Sequence, residues 1–463
     1  MRYVSTRGTA PELGFADVLL AGLAADGGLY VPERWPRLDP ALLVPGAVPG
    51  GYAELAVEVM WPFVEGDIDR DAFAAIVTDA YATFDDPDVT PLRELGAGVW
   101  LLELFHGRTL AFKDVALSLV GRLFDHELAR RGERVTVVGA TSGDTGSAAI
   151  DALAGLSTVD VVILHPAGRT SDIQRRQMTT VDAANVSNVA VDGTFDDCQD
   201  LVKAMFADTG FRAAQRLSAV NSINWARVMA QIVYYVAAAR ALGGGPVSFC
   251  VPTGNFGNVF AGWVAMRMGV PVRRLVVASN TNDIVTRFLA TGSMTIEQVV
   301  PTLSPSMDIQ VSSNLERLLF ELHGRDGAAL AEAMIRFRAE GTIDVEPEVL
   351  AAVSETFVGA RVDDAATTAA IAATWRDHHV LVDPHTAVGL DAVRQVGTDP
   401  GVPMVVLATA HPAKFPEAVE AATGERAALP ERLADLADRP EHYVTLPVDL
   451  AAIEAHVAAF SAR

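Results

Sequence analysis

Cysteine and long apolar runs are both scarce in this chain, and each shortage excludes something. Two cysteines in 463 residues, Cys198 and Cys250, stand far apart without metal-type spacing. Such sparing use suggests a reducing cytoplasm. Cys250, inside the run PheCysVal, is expected as a packed core residue. No apolar stretch approaches the roughly 20 residues that span a bilayer. The segment 15–25 is broken by Asp17 and reads as an amphipathic helix rather than a signal core. Positive charge is short as well: 36 Lys and Arg face 58 Asp and Glu, a formal net charge of −22. That argues against a nucleic-acid binder, whose surface must neutralise phosphates. A small anionic substrate stays open, because a local cluster of cations can oppose the global field. Internal repeats and low-complexity segments are absent, and nothing distinguishes a monomer from a homodimer.

Half of the residues are apolar and a fifth are charged, as in globular proteins. The length predicts two or three domains at roughly 150 residues each. From about residue 134, short β-rich runs alternate with helical segments. Strands are expected at 134–140, 159–165, 247–252, 274–280, 380–384 and 404–409. Most are continuous apolar runs, as strands buried on both faces require. Helices are expected at 115–131, 224–242 and 255–268, with glycines at 243–245 and 269 as stops. This rhythm predicts an α/β fold with open parallel sheets and helices on both faces. The first ninety residues lack it and read as a mostly helical N-terminal domain. We expect boundaries at 1–92, at 93–220 for a smaller, mobile α/β domain with the reactive lysine, and at 221–463 for a large α/β domain. The stretch 290–378 reads as mostly helical, with 338–348 as a solvated face.

Four segments carry chemistry. Lys113 precedes the helix 115–131, where the positive end of the macrodipole disfavours a protonated amine. A neutral lysine amine forms imines and moves protons. Alone, a solvated lysine paired with Asp114 is the simpler reading. The segment 254–258 (GlyAsnPheGlyAsn) turns from a strand into a helix through two glycines, so its amides can point at a phosphate. The third glycine and the acidic partner of the dinucleotide fingerprint are missing. An amine and a phosphate cradle together make pyridoxal phosphate the first cofactor to test. The third segment, 139–147, is dense in hydroxyls and helix-start amides. Thr141, Ser142, Asp144 and Thr145 suit a substrate carboxylate or phosphate, or equally an elaborate helix cap. In the fourth, 408–415, Thr409 and Lys414 follow the last predicted strand, where open α/β sheets place ligands. His411 and Lys414 taken alone are ordinary helix-start residues, and Thr386 in 383–389 is expected to cap a helix.

With these residues in view, the chain resembles the threonine synthases of the longer kind, which carry an N-terminal extra domain. The resemblance runs through TyrValSerThrArgGly (3–8), AspGlyGlyLeuTyrValPro (26–32), 101–114, 139–147, AspGlyThrPheAspAspCysGln (192–199), AsnSerIleAsnTrpAlaArg (221–227), 252–258, SerMetAspIleGlnValSerSerAsn (306–314) and 408–415. It implies the type II fold of pyridoxal-phosphate enzymes, shared with the tryptophan synthase β-chain. It also implies a carbon–oxygen lyase that converts O-phospho-L-homoserine and water to L-threonine and phosphate. In that family the lysine matching Lys113 carries the cofactor as an imine. The loop matching Gly254, Asn255, Phe256, Gly257 and Asn258 holds its phosphate, and the threonine matching Thr409 faces the pyridine nitrogen. Lys414 and Arg108 are candidates for balancing the charge of the substrate phosphate; Arg108 is also a departure, since such enzymes usually have proline there, and a tolerated surface change is the favoured expectation for it. A lyase or dehydratase of the same fold, or a non-catalytic descendant, are the rival readings; the intact Lys113 speaks against the last.

Overall fold

The structure is a computed structural model describing residues 1–47, 50–219 and 222–461. Two short strands, β1 (Tyr3–Ser5) and β2 (Tyr30–Pro32), pair antiparallel near the N-terminus. Along the chain follow β3 (Leu92–Gly96), β4 (Val99–Glu103), β5 (Val135–Ala140), β6 (Val159–Pro166), β7 (Val186–Val191), β8 (Leu217–Ser218), β9 (Val247–Pro252), β10 (Val272–Ser279), β11 (Ser293–Thr295), β12 (Thr342–Asp344), β13 (Phe357–Arg361), β14 (Met404–Ala408) and β15 (Val444–Leu446). One large sheet has the order β13-β10-β9-β14-β4-β3 and a smaller one the order β15-β7-β6-β5-β8. Every pair in both is parallel except β3 with β4. The carboxyl ends of β5, β9 and β14 each run into a helix or turn, and those three turns build the site.

The expected strands at 134–140, 159–165, 247–252, 274–280 and 404–409 are present within a residue or two. The one expected at 380–384 is not. Val380 and Val382 are buried, but they lead into the helix Pro384–Val396, whose N-cap is Asp383. Asp followed by Pro is a helix-start signal, and it overrides the apolar run. Asp383, not Thr386, is the cap: its carboxylate accepts from the amides of His385 and Thr386.

The expected domain boundaries do not follow the sheets. β3 and β4, placed in the smaller domain, belong to the large sheet, with β4 beside β14. β15, placed in the large domain, adds to the edge of the smaller sheet beside β7, and the helix Leu450–Ser461 packs there too through Ile453 and Val457. Long-range strand pairing decides membership, and order along the chain does not report it. The boundary at 220/221 falls on residues outside those described. The N-terminal region is mostly helical, as expected, yet its core is continuous with that of the large sheet. Tyr3, Phe15 and Phe63 share one buried cluster with Trp225, and Trp225 donates its indole N–H to the Tyr3 hydroxyl at 3.1 Å. No described helix is long and apolar enough to cross a membrane.

Candidate active site

Lys113 opens the helix Lys113–Arg131, and the segment before it is tied to the segment after β14. The Phe112 amide donates to the Thr409 carbonyl at 2.8 Å and the His411 amide to the Leu110 carbonyl at 3.0 Å. These bonds bring residues almost 300 positions apart onto one wall of a cavity of about 2100 Å³. Lys113, Thr141, Ser142, Thr145, Thr409 and all five residues of 254–258 line it. The lysine and the distant glycine turn therefore face a common space.

Lys113 Nζ sits 3.3 Å from Asp144 Oδ2, not against Asp114. Asp114 is occupied by Thr109, whose amide and hydroxyl donate to it at 2.8 and 2.5 Å. Asp144 is 4% exposed, and its other oxygen receives Lys414 Nζ at 2.8 Å and Gln174 Nε2 at 2.9 Å. Burial alone would raise the Asp144 carboxyl, but Lys414 and Lys113 outweigh it and hold the group well below the usual range. Burial lowers the Lys113 amine, Asp144 opposes, and the Lys414 and Arg227 charges lower it further. The sequence ascribed this trend to the helix start. The structure adds burial and two cations as causes.

The turn after β9 has the features of an anion cradle. Phe256 adopts a left-handed conformation at φ 61° and opens the helix Gly257–Met268 without a side-chain cap. Among the described residues, the amides of Gly254, Asn255 and Phe256 take no hydrogen bond within the protein. The turn is pinned instead by its carbonyls: Ser312 Oγ donates to Gly254 O at 2.8 Å, and Asn314 Nδ2 to Asn255 O at 2.9 Å. A Cβ at Gly254 would meet the Ser306 carbonyl at 2.7 Å, so glycine is required there. Ser306 also reaches the other half of the site, its hydroxyl 3.4 Å from Asp144 Oδ2.

Three buried side chains on the cavity wall carry polar atoms without a partner. Arg227 is 4% exposed, yet its Nε and Nη1 make no hydrogen bond, nor do Asn258 Nδ2 and Gln231 Oε1. All three residues line the cavity. Burial lowers the Arg227 guanidinium to about 10. An unpaired buried cation costs on the order of several kcal/mol until an anion arrives. Sequence reasoning missed Arg227 as a site residue, although a signal existed. It is a cation in the helix Trp225–Ala241, which is buried on nearly every face, and Gln231 lies four residues on along the same face. His385 was missed as well. It lines the cavity, holds Asp383 through Nδ1 at 2.7 Å, and accepts the Ser306 amide on Nε2 at 3.3 Å.

Not every expected residue is free to meet a ligand. Thr141 spends its hydroxyl on the amides of Gly143 and Gly146, at 3.0 and 2.9 Å. Asp144 is committed to the two lysines. Lys414 is fully buried, bonded to Asp144 and the Thr109 carbonyl at 2.6 Å, and is not part of the cavity wall. Arg108 lies outside, 57% exposed and 3.7 Å from Asp151. Ser142 and Thr145 remain on the wall with their hydroxyls uncommitted among the described residues.

Known proteins match this chain along nearly its whole length. The family profile described as "Pyridoxal-phosphate dependent enzyme" matches residues 85–354, "Threonine synthase N terminus" matches 2–81 and "Threonine synthase, C-terminal" matches 386–457. Threonine synthase of Pseudomonas aeruginosa is 54% identical over 460 residues, covering 99% of this chain and 98% of its own. That of Corynebacterium glutamicum is 42% identical over 99% of this chain and 98% of its own. The crystal structure of pyridoxal-phosphate-bound threonine synthase from Brucella melitensis superposes with a TM-score of 0.97 at 49% identity, covering 100% of both chains. The yeast enzyme gives 0.94 at 38% identity, over 100% of this chain and 99% of its own. With the amine, the free amides and the unpaired guanidinium sharing one cavity, the chain belongs to the threonine synthase family of pyridoxal-phosphate-dependent enzymes.

Proposed function

We propose that the protein converts O-phospho-L-homoserine and water to L-threonine and inorganic phosphate, with pyridoxal phosphate held between Lys113 and the turn 254–258. The observation that carries this reading is a buried amine and a set of unbonded amides lining the same cavity as a buried, unpaired guanidinium. Two anion-binding features call for two anionic groups, one on the cofactor and one on the substrate. The free amides of 254–256 would hold the cofactor phosphate, with Asn258 Nδ2 as a further donor, and Thr409 on the cavity wall would hold the ring through its hydroxyl. The bound cofactor supplies an electron sink for carbanions next to the amino-bearing carbon.

The chain's own residues supply the rest. Lys113 Nζ, lowered by burial, is the proton carrier to and from the substrate carbons. When it carries a proton, Asp144 Oδ2 holds the resulting charge. Asp144 stays ionised because Lys414 is fixed on its other oxygen, so it orients the amine rather than acting as a base. Arg227 is our choice for the substrate phosphate, and Ser142 and Thr145, beside the helix start at Asp144, for its carboxylate. If Thr409 holds the ring nitrogen, its neutral hydroxyl would stabilise a protonated ring less than a carboxylate and so moderate the sink. Closure of the smaller sheet over the cavity would exclude water until it is needed.

Incubation with O-phospho-L-homoserine tests the reading: threonine and phosphate should form in equal amounts. Lys113→Ala should abolish turnover and the visible absorbance of the bound cofactor. Phosphate with a keto acid and no threonine would make the protein a lyase of the same fold instead.

A further inference from the structure

The cleft reverses the sign of the chain. The whole sequence has 36 Lys and Arg against 58 Asp and Glu. Among the described residues lining the cavity, Glu133 is the one carboxylate. Facing it, besides Lys113 and Arg227, are Arg134, Lys203, Arg212, Arg216 and Arg338. These five are exposed, whereas Lys113 and Arg227 are buried. Arg134 has Asp160 at 3.2 Å and Lys203 has Asp200 at 2.8 Å. Arg212, Arg216 and Arg338 have no acidic partner among the described residues.

The three come from two sides. Arg212 lies on the helix Thr209–Ala214 and Arg216 just before β8, both on the smaller sheet's side, while Arg338 lies on the helix Gly327–Glu340. Arg216 also occupies a left-handed backbone position at φ 49°, where glycine or asparagine would be less strained.

We propose that Arg212, Arg216 and Arg338 form a cationic mouth that draws doubly charged phosphate compounds into the cleft against the repulsion of the chain's overall negative charge. This rests on the reading of the substrate as a phosphate ester. The three act at encounter and contribute to the preference for anionic over neutral ligands, without touching the reacting atoms. Their influence reaches roughly 30 Å at about 10 mM salt and shrinks to about 3 Å at 1 M.

The test is the holoenzyme triple variant R212E/R216E/R338E, with R70E/R376E/R426E as a control of equal charge change elsewhere. At low ionic strength the mouth variant is expected to lose about tenfold in kcat/KM for O-phospho-L-homoserine with kcat within about twofold, and to converge on the wild type at high salt. The control should keep most of its kcat/KM. Association of pyridoxal phosphate with the apoprotein, read by absorbance, should slow about tenfold in the mouth variant while that of pyridoxal does not. This second readout needs no turnover: if the wild type makes no threonine, the substrate reading fails while the mouth is still tested. Wild-type behaviour of the mouth variant at low salt, or an equal loss in the control, overturns the proposal.

Discussion

Two glycine-rich turns, one after β5 and one after β9, look alike in sequence and do opposite things with their hydrogen bonds. In the turn 141–146, Thr141 accepts two of the turn's own amides, and Asp144 is consumed by Lys113, Lys414 and Gln174. The turn 254–257 satisfies none of its first amides. Its carbonyls are fixed from outside by Ser312 and Asn314. Behind Asn314 stands Arg317, fully buried, which donates to the Asn314 side chain, to Ile223 O at 2.6 Å and to Tyr30 O at 3.0 Å. A turn that bonds to itself stabilises a helix start. A turn whose acceptors are held and whose donors are free is preorganised for an anion, with little reorganisation left to make on binding.

The contrast breaks first at Gly254→Ala. The added Cβ collides with the Ser306 carbonyl, so the turn must shift and its amides turn away. Affinity for pyridoxal phosphate, measured by equilibrium titration, is expected to fall on the order of a hundredfold. Unchanged affinity would mean that another element holds the phosphate.

The third turn, after β14, sharpens the comparison through His411, whose Nδ1 accepts the Ala413 amide at 3.2 Å. Burial, then the nearby His106, lowers this imidazole from 6.5 to about 4. The unfolded chain takes up a proton near 6.5, whereas the folded one stays neutral down to about 4. Stability therefore rises with pH across that window and is lost on acidification, by about 2 kcal/mol after allowing for residual exposure. Denaturant titrations from pH 4 to 7 should show a flatter profile for His411→Gln than for the wild type; parallel profiles would exclude this imidazole as a cause.

The smallest effect belongs to the self-satisfied turn. Thr141→Val removes the acceptor of two amides and should cost about 1–2 kcal/mol in urea unfolding. Cofactor affinity should stay within a few-fold of wild type. A loss as large as that of Gly254→Ala would erase the distinction between the two turns.

Legibility followed burial and locality. β5, β6, β9, β10 and β14 were readable because strands covered on both faces are continuous apolar runs. β3, β7, β13 and β15 were not. They are short or mixed in polarity, three of them lie at sheet edges, and β7 carries Ser187 and Asn188 among its apolar residues. Lys113 and the turn 254–258 stood out because strand-to-helix glycines and a helix-start lysine are local signals. The partners of Asp144 and the isolation of Arg227 were invisible, since both depend on residues tens to hundreds of positions away.

By itself the sequence determined the alternation of buried strands and helices, the places where glycine must stand, and the stock of ionisable groups. Those follow from periodicity, steric allowance and composition, which act over a few residues. Only the tertiary structure decided which cation was paired and which was left waiting. Coulombic attraction and burial depend on distance in space, and a chain read in order carries no measure of that distance.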